Sequence, residues 1–139
     1  MKDIYHCFWV KAPLEKVYWA LTDKNGLAGW WTKSLEHSGT IGSISTFWFK
    51  SGAFNKMRMV NIDPNLIEWI CIDGNEEWKN TQITFELHHQ PNKTKVCFSH
   101  YGFKKQSEYV GECSFHWANY FVSLQKLCET GKGTPNEGL

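Results

Sequence analysis

Apolar, β-branched and aromatic side chains crowd residues 4–11, and that stretch predicts a strand. Ala12-Pro13 breaks it, with Pro13 suited to a helix's first turn. Beyond it, Val17, Tyr18 and Leu21 follow helical spacing until Thr22-Asp23-Lys24-Asn25-Gly26 ends the segment. A short helix or turn then carries Leu27 to Trp31. From residue 42 to 101 the pattern is β-rich and broken by turn signals. Strands are predicted over residues 43–50, 57–62 and 66–72, the last two joined through Asp63-Pro64-Asn65 as an antiparallel hairpin. Residues 82–89 alternate, with Ile83, Phe85 and Leu87 on one face and Thr84, Glu86 and His88 on the other. Gln90-Pro91-Asn92-Lys93 turns the chain into residues 94–101, where Val96, Phe98 and His100 share a face. Alternation of this kind marks an antiparallel sheet with one buried and one wet face.

The last element has a different period. Cys113, Trp117, Phe121, Leu124 and Cys128 recur at intervals of four, four, three and four, and Tyr120 and Leu127 widen the stripe. A helix of about 20 residues is predicted over 108–129, with Gly131 as its C-cap. With a further short strand near 38–40, the order is strand, two helices, a run of strands and a long terminal helix. The predicted class is α+β: a curved antiparallel sheet of six or seven strands around the C-terminal helix. No repeat or linker divides the chain, so residues 1–131 are read as one domain and residues 132–139 as a flexible tail.

Composition narrows the function classes. Of 139 residues, 42% are hydrophobic and 16% aromatic, including eight Trp, enough for a full core without staples. Fifteen Lys+Arg against 14 Asp+Glu leave a net charge of +1, and Arg58 is the only arginine. A nucleic-acid partner is therefore not expected. No apolar run is long enough for a membrane span, and the opening Met-Lys-Asp-Ile-Tyr-His-Cys lacks the apolar stretch of a secretory leader. Cys7, Cys71, Cys97, Cys113 and Cys128 are odd in number and scattered, so they read as reduced thiols and the expected location is cytoplasmic.

The order of elements resembles the START-like (SRPBCC) helix-grip fold. More closely, the chain is similar to bacterial members of the family named after the activator of heat-shock protein 90 ATPase. The matching pieces run in order along the chain. They are Pro13…Val17…Ala20-Leu21-Thr22-Asp23, Gly29-Trp30-Trp31 and Trp69…Gly74…Glu77-Trp78…Thr81-Gln82-Ile83-Thr84-Phe85, then Thr94…Val96…Phe98…His100…Gly102 and Cys113…Trp117…Ser123-Leu124…Glu129-Thr130-Gly131-Lys132-Gly133. The resemblance implies an antiparallel sheet gripping the terminal helix. It also implies the activities of the wider superfamily: binding of lipids, sterols or polyketides, or small hydrolytic and cyclising reactions. The eukaryotic co-chaperone that names the family carries an additional domain without a counterpart here.

The candidate site is the groove between sheet and helix. Its candidate walls are Trp30, Trp31, Phe47, Phe49, Trp69, Trp78, Phe98, His100, Cys113, Trp117 and Phe121. Adjacent residues on a short helix point differently, so one of Trp30 and Trp31 is expected in the core and the other at the groove mouth. Trp78 is either a plug or a rim residue. His100, on an inward face, needs a partner: a carbonyl or hydroxyl if it is a core residue, a ligand if it is functional. Cys113 is placed across the groove from it. Neighbouring His88 and His89 point to opposite faces of a strand, and His6 and His116 have no carboxylate or cysteine at ligand spacing, so no metal site is expected. No glycine-rich phosphate loop or nucleophile elbow is present, and no cofactor or catalytic residue is assigned. Three readings remain. The first is a binder of a small hydrophobic molecule, the second a cyclase- or hydrolase-type enzyme with His100 as acid/base. The third is a chaperone partner, for which the outer strand positions (Thr84, Glu86, His88, Lys95, Ser99) offer no clear patch.

Overall fold

The computed structural model describes residues 3–139; Met1 and Lys2, which open the segment read for a leader, lie outside them. Strand β1 (Ile4–Val10) leads through Pro13 into helices α1 (Leu14–Thr22) and α2 (Lys24–Trp30). The strands β2 (Ser34–Glu36), β3 (Ile44–Trp48), β4 (Phe54–Asp63), β5 (Leu66–Gly74), β6 (Gln82–Gln90) and β7 (Lys93–Tyr101) follow, and α3 (Glu108–Thr130) closes the chain. They form a seven-stranded sheet in the order β1-β7-β6-β5-β4-β3-β2, antiparallel at every pairing. Only β1 leaves its sequence neighbours: it crosses to pair with β7 and puts α1 and α2 between the two ends of the sheet. This is the helix-grip α+β fold.

The sheet curves because its longest strand is irregular. The β4–β5 register shifts between Lys56 and Met57 and again between Met59 and Asn61, and such bulges bend and twist a strand. The concave face then receives α3, whose residues Cys113, Trp117, Phe121, Leu124 and Cys128 are all buried. Gly131 ends the helix at φ 89°, a left-handed cap conformation that glycine adopts without a Cβ clash. On the sheet, the inward residues Ile83, Phe85 and Leu87 are buried as their alternation predicts. Thr84 and Ser99, expected wet, are also buried. They face each other across β6 and β7.

Three expectations are corrected. The strand placed near residues 38–40 lies at Ser34–Glu36 instead, paired with β3. The break read at residues 22–26 is only Asp23, whose side chain accepts from the Asn25 amide and caps α2, so Gly26 lies inside that helix. The tail expected to fray is docked. Asn136 bridges to Thr32, its amide donating to the Trp31 carbonyl at 2.8 Å, while the Lys33 amide donates to the Asn136 carbonyl at 3.0 Å. The Thr134 amide donates to Ser123 Oγ at 2.8 Å. Gly133 makes this path possible, because a Cβ there would run into the Gly29 carbonyl and lie 2.8 Å from the Ser123 carbonyl.

Candidate functional site

Aromatic rings fill most of the groove. Trp31 is the hub, with ring centroids 4.4 Å from Phe47, 5.8 Å from Trp69, 5.3 Å from Trp117 and 6.0 Å from Trp30. Trp117 continues the stack to Phe98 at 4.7 Å, Phe121 at 5.5 Å and Trp78 at 5.7 Å. Offset and edge-on pairs of this kind are each worth about 0.5–1.5 kcal/mol beyond their buried area. Both Trp30 and Trp31 are buried: Trp30 lies in the packed interior, and Trp31 borders the open end of the groove. The short helix ends at Trp30, so Trp31 leaves on a different heading and both rings turn inward. Trp30 fixes its position by donating Nε1–H to the Ala20 carbonyl at 2.7 Å.

His100 is fully buried and fully satisfied. Indole nitrogen only donates, so the 3.1 Å contact from Trp117 Nε1 makes His100 Nδ1 an acceptor. The proton then resides on Nε2, which donates to Thr81 Oγ1 at 2.8 Å, and that hydroxyl donates to the Trp78 carbonyl at 2.6 Å. The rings of Trp78 and Phe103 close the remaining sides, at 4.6 and 4.5 Å. Burial among these rings drives the imidazole pKa down from 6.5 to about 3. His100 is therefore a neutral link between sheet and helix with both nitrogens engaged. Burial also pushes the Cys113 thiol up to about 12, against partial relief from the Trp78 and Trp117 indoles. A protonated thiol and a saturated neutral imidazole do not make a nucleophile–base pair.

Open space remains at one end of the groove, a cavity of about 310 Å³. Its floor is Trp31, Trp78 and Trp117, with Phe49 from the β3–β4 turn along one side. Helix α3 supplies Tyr109, Cys113 and Tyr120 to the wall, with Glu112 and His116 above them. These positions share the side of the helix that faces the sheet's open end. The opposite wall is polar: Ser51 and Asn55 from β4 and its turn, Asn75 after β5, and Asn136 from the docked tail. Asn136 is held in place because its Oδ1 accepts from the Lys50 amide at 2.9 Å and the Gly138 amide at 3.0 Å.

Of the eleven residues expected to line the site, Trp31, Phe49, Trp78, Cys113 and Trp117 border this cavity. Trp30, Phe47, Trp69, Phe98, His100 and Phe121 lie in the packed interior behind it. The polar residues of the wall were not picked out as binding residues. Tyr109 and Tyr120 carried a signal, since both continue the helical stripe; Asn55, Asn75 and Asn136 carried none. Among the described residues, no group of three or more His, Cys, Asp or Glu is placed to hold a metal ion. No helix among them is long and apolar enough to cross a membrane.

The architecture and the sequence pieces it positions agree with a family model, that of the activator of Hsp90 ATPase homolog 1-like proteins, which matches residues 11–129. The chain belongs to this family. It is similar to the Aha1 from Colwellia psychrerythraea, solved in solution as a dimer, at 34% identity over 94% of this chain and 98% of that one, with a TM-score of 0.84. Two more distant structures share the fold. MLL2253 from Mesorhizobium loti is 17% identical over 90% of this chain and 96% of its own, with a TM-score of 0.78. DynU16, from the dynemicin biosynthetic locus, is 20% identical over 94% of this chain and 48% of its own, with a TM-score of 0.80. Among functionally curated proteins, no match is found.

Proposed function

We propose that this START-like domain binds a compact, uncharged, planar aromatic molecule in the 310 Å³ cavity at the open end of its groove. The observation that carries the reading is the wall's two-sided chemistry: indole and phenyl rings beneath, tyrosine and asparagine side chains around the rim. Rings offer stacking area, and the amides and phenols offer hydrogen bonds that fix orientation. The volume lies at the small end of the range for small-molecule sites, suited to roughly two or three fused rings. A fatty acid or sterol needs the deeper groove, which the protein's own aromatics occupy. Glu112 at the rim and the lack of a lining Lys or Arg disfavour anionic ligands. The enzyme reading loses its residue, because His100 lies behind the cavity with both nitrogens engaged. A cytoplasmic setting belongs to the same proposal and rests on the five free cysteines.

Isothermal titration with 2-naphthol, a hydroxyanthraquinone and palmitate tests this directly. Heat from the two aromatic compounds, weakened by Asn55→Ala and Trp78→Ala, and none from palmitate, is the expected result. Binding of palmitate alone would overturn it.

A second reading, contact with another protein or a second copy, is favoured by one specific feature. Ile44 on β3, Val60 on β4 and Ile41 in the turn before β3 are 46%, 41% and 68% exposed, and the Colwellia relative was solved as a dimer. Sedimentation of the wild type beside Ile44→Asp tests the second copy; a monomer in both removes it.

A further inference from the structure

Cys7 in β1 lies directly opposite Cys97 in β7. The Trp9 carbonyl accepts from Gln125 Nε2 at 2.8 Å, and the Lys11 amide donates to Glu129 Oε2 at 2.9 Å. Odd-numbered residues of β1 thus turn their backbone groups away from β7, so Cys7 and Cys97 form a non-hydrogen-bonded pair. In such a pair the Cα atoms stand about 4.5 Å apart and the side chains are closest. A disulfide accepts Cα separations of roughly 4.4–6.8 Å, so these strands need not move to be joined. Both thiols leave the sheet on its outer face and meet at one hydroxyl. Cys7 Sγ donates to Tyr5 Oη at 3.2 Å, and Cys97 lies close enough to Tyr5 and Cys7 for the three groups to perturb one another electrostatically. Cys7 is exposed, whereas Cys97 is shielded. The remaining cysteines are buried; Cys71 faces Met57 across its strand pair, and Cys113 and Cys128 sit on α3.

We infer that Cys7 and Cys97 are a dithiol modification site that a low-molecular-weight disulfide oxidises to an intramolecular cross-strand disulfide. The exposed Cys7 deprotonates and attacks one sulfur of the incoming disulfide, forming a mixed disulfide and expelling one thiolate. Cys97 then deprotonates and attacks the Cys7 sulfur, expelling the second thiolate. Each thiolate takes up one of the two protons released, and the two electrons lost by the protein reduce the small disulfide to two thiols. The shielding of Cys97 suits this order, since its partner sulfur is already beside it. Burial and the Cys7 neighbour push the Cys97 thiol up, with partial relief from the Tyr5 hydroxyl and the Lys95 ammonium, so it is the slower thiol to react with an outside disulfide. The bond clamps the edge strand β1, which anchors α3 through the 3.0 Å contact of His6 with Ser114, to its neighbour.

The test uses the full, reduced chain incubated without oxygen with oxidised glutathione, then mapped by mass spectrometry of unreduced peptides. The protein should lose two of its five free thiols, join the Cys7 and Cys97 peptides, and carry no lasting glutathione. Cys97→Ser should trap one glutathione on Cys7. Cys7→Ser should react at Cys97 at least about tenfold more slowly, because the remaining thiol is shielded. The far-ultraviolet circular dichroism should stay unchanged and the urea midpoint should rise. A lasting adduct on the wild-type protein, chains joined Cys7 to Cys7, all five thiols unreacted or a lowered midpoint would each overturn the inference.

Discussion

Replacing His100 by Leu should change stability by an amount that depends on pH, and the sign of that dependence follows from the burial. At neutral pH the substitution strips Trp117 Nε1–H of its acceptor and Thr81 Oγ1 of its donor. A buried donor left unpaired costs about 1–3 kcal/mol, and leucine's added apolar contact offsets part of it. The Thr81 hydroxyl keeps its own bond to the Trp78 carbonyl, so only one donor is orphaned. Acid acts on the wild type instead. The folded imidazole takes a proton only near pH 3, whereas the unfolded one takes it at 6.5. The unfolded state therefore binds the proton first, and His100 costs the wild type stability as pH falls from 6.5 toward 3. The slope is about 1.4 kcal/mol per pH unit, giving roughly 2 kcal/mol lost by pH 5. His100→Leu cannot lose this. Urea unfolding of both proteins near pH 7.5 and pH 5 should thus show the variant's deficit shrinking by about 2 kcal/mol, and even reversing. Every other titratable group is common to both proteins and drops out of the comparison. An unchanged gap between the two pH values would refute the account of a neutral, engaged His100.

Two further outcomes follow from packing. Trp117→Ala should cost roughly 3–5 kcal/mol by denaturant unfolding, since its ring touches Trp31, Trp78, Phe98 and Phe121 and its removal leaves a void they cannot close; a loss below about 1 kcal/mol would mean that helix face is not packed. Gly133→Ala should release the docked tail, because its Cβ has no room beside the Gly29 and Ser123 carbonyls; faster amide exchange at Asn136 and Lys33 would register this, and unchanged protection would contradict it.

The sheet and the terminal helix were legible because each buries one face, and one-sided burial writes its period into the chain. Gln82 to His89 shows period two and Cys113 to Cys128 shows the helical stripe; the stripe holds in the structure, and the alternation holds except at the buried Thr84. The tail was misread because Gly133, Pro135 and Gly138 look like disorder in one dimension, whereas Gly133 is there to let two backbones approach. The site was half legible for a similar reason. Of its aromatic floor only Trp117 lies on a periodic element, since Trp31 follows α2 and Trp78 sits in the β5–β6 connection, and sequence could not tell a ring that lines a cavity from one that fills it. Trp31 and Trp69 read alike, yet only Trp31 borders open space. The polar wall is drawn from Ser51, Asn75 and Asn136 on turns and tail, where no pattern announces which side chain faces the groove.

The central claim, that ligand space lies at the mouth and not within the groove, is tested most directly by two-dimensional NMR of the nitrogen-15-labelled protein titrated with 2-naphthol. The indole Nε1–H of Trp78 and the backbone amides of Ser51, Asn55, Asn75, Tyr109 and Asn136 should shift together, while those of Trp30 and Trp69 stay fixed. Shifts centred on Trp30, Trp69 and Phe85, or spread evenly through the core, would place the ligand among rings that are packed against one another and contradict the account.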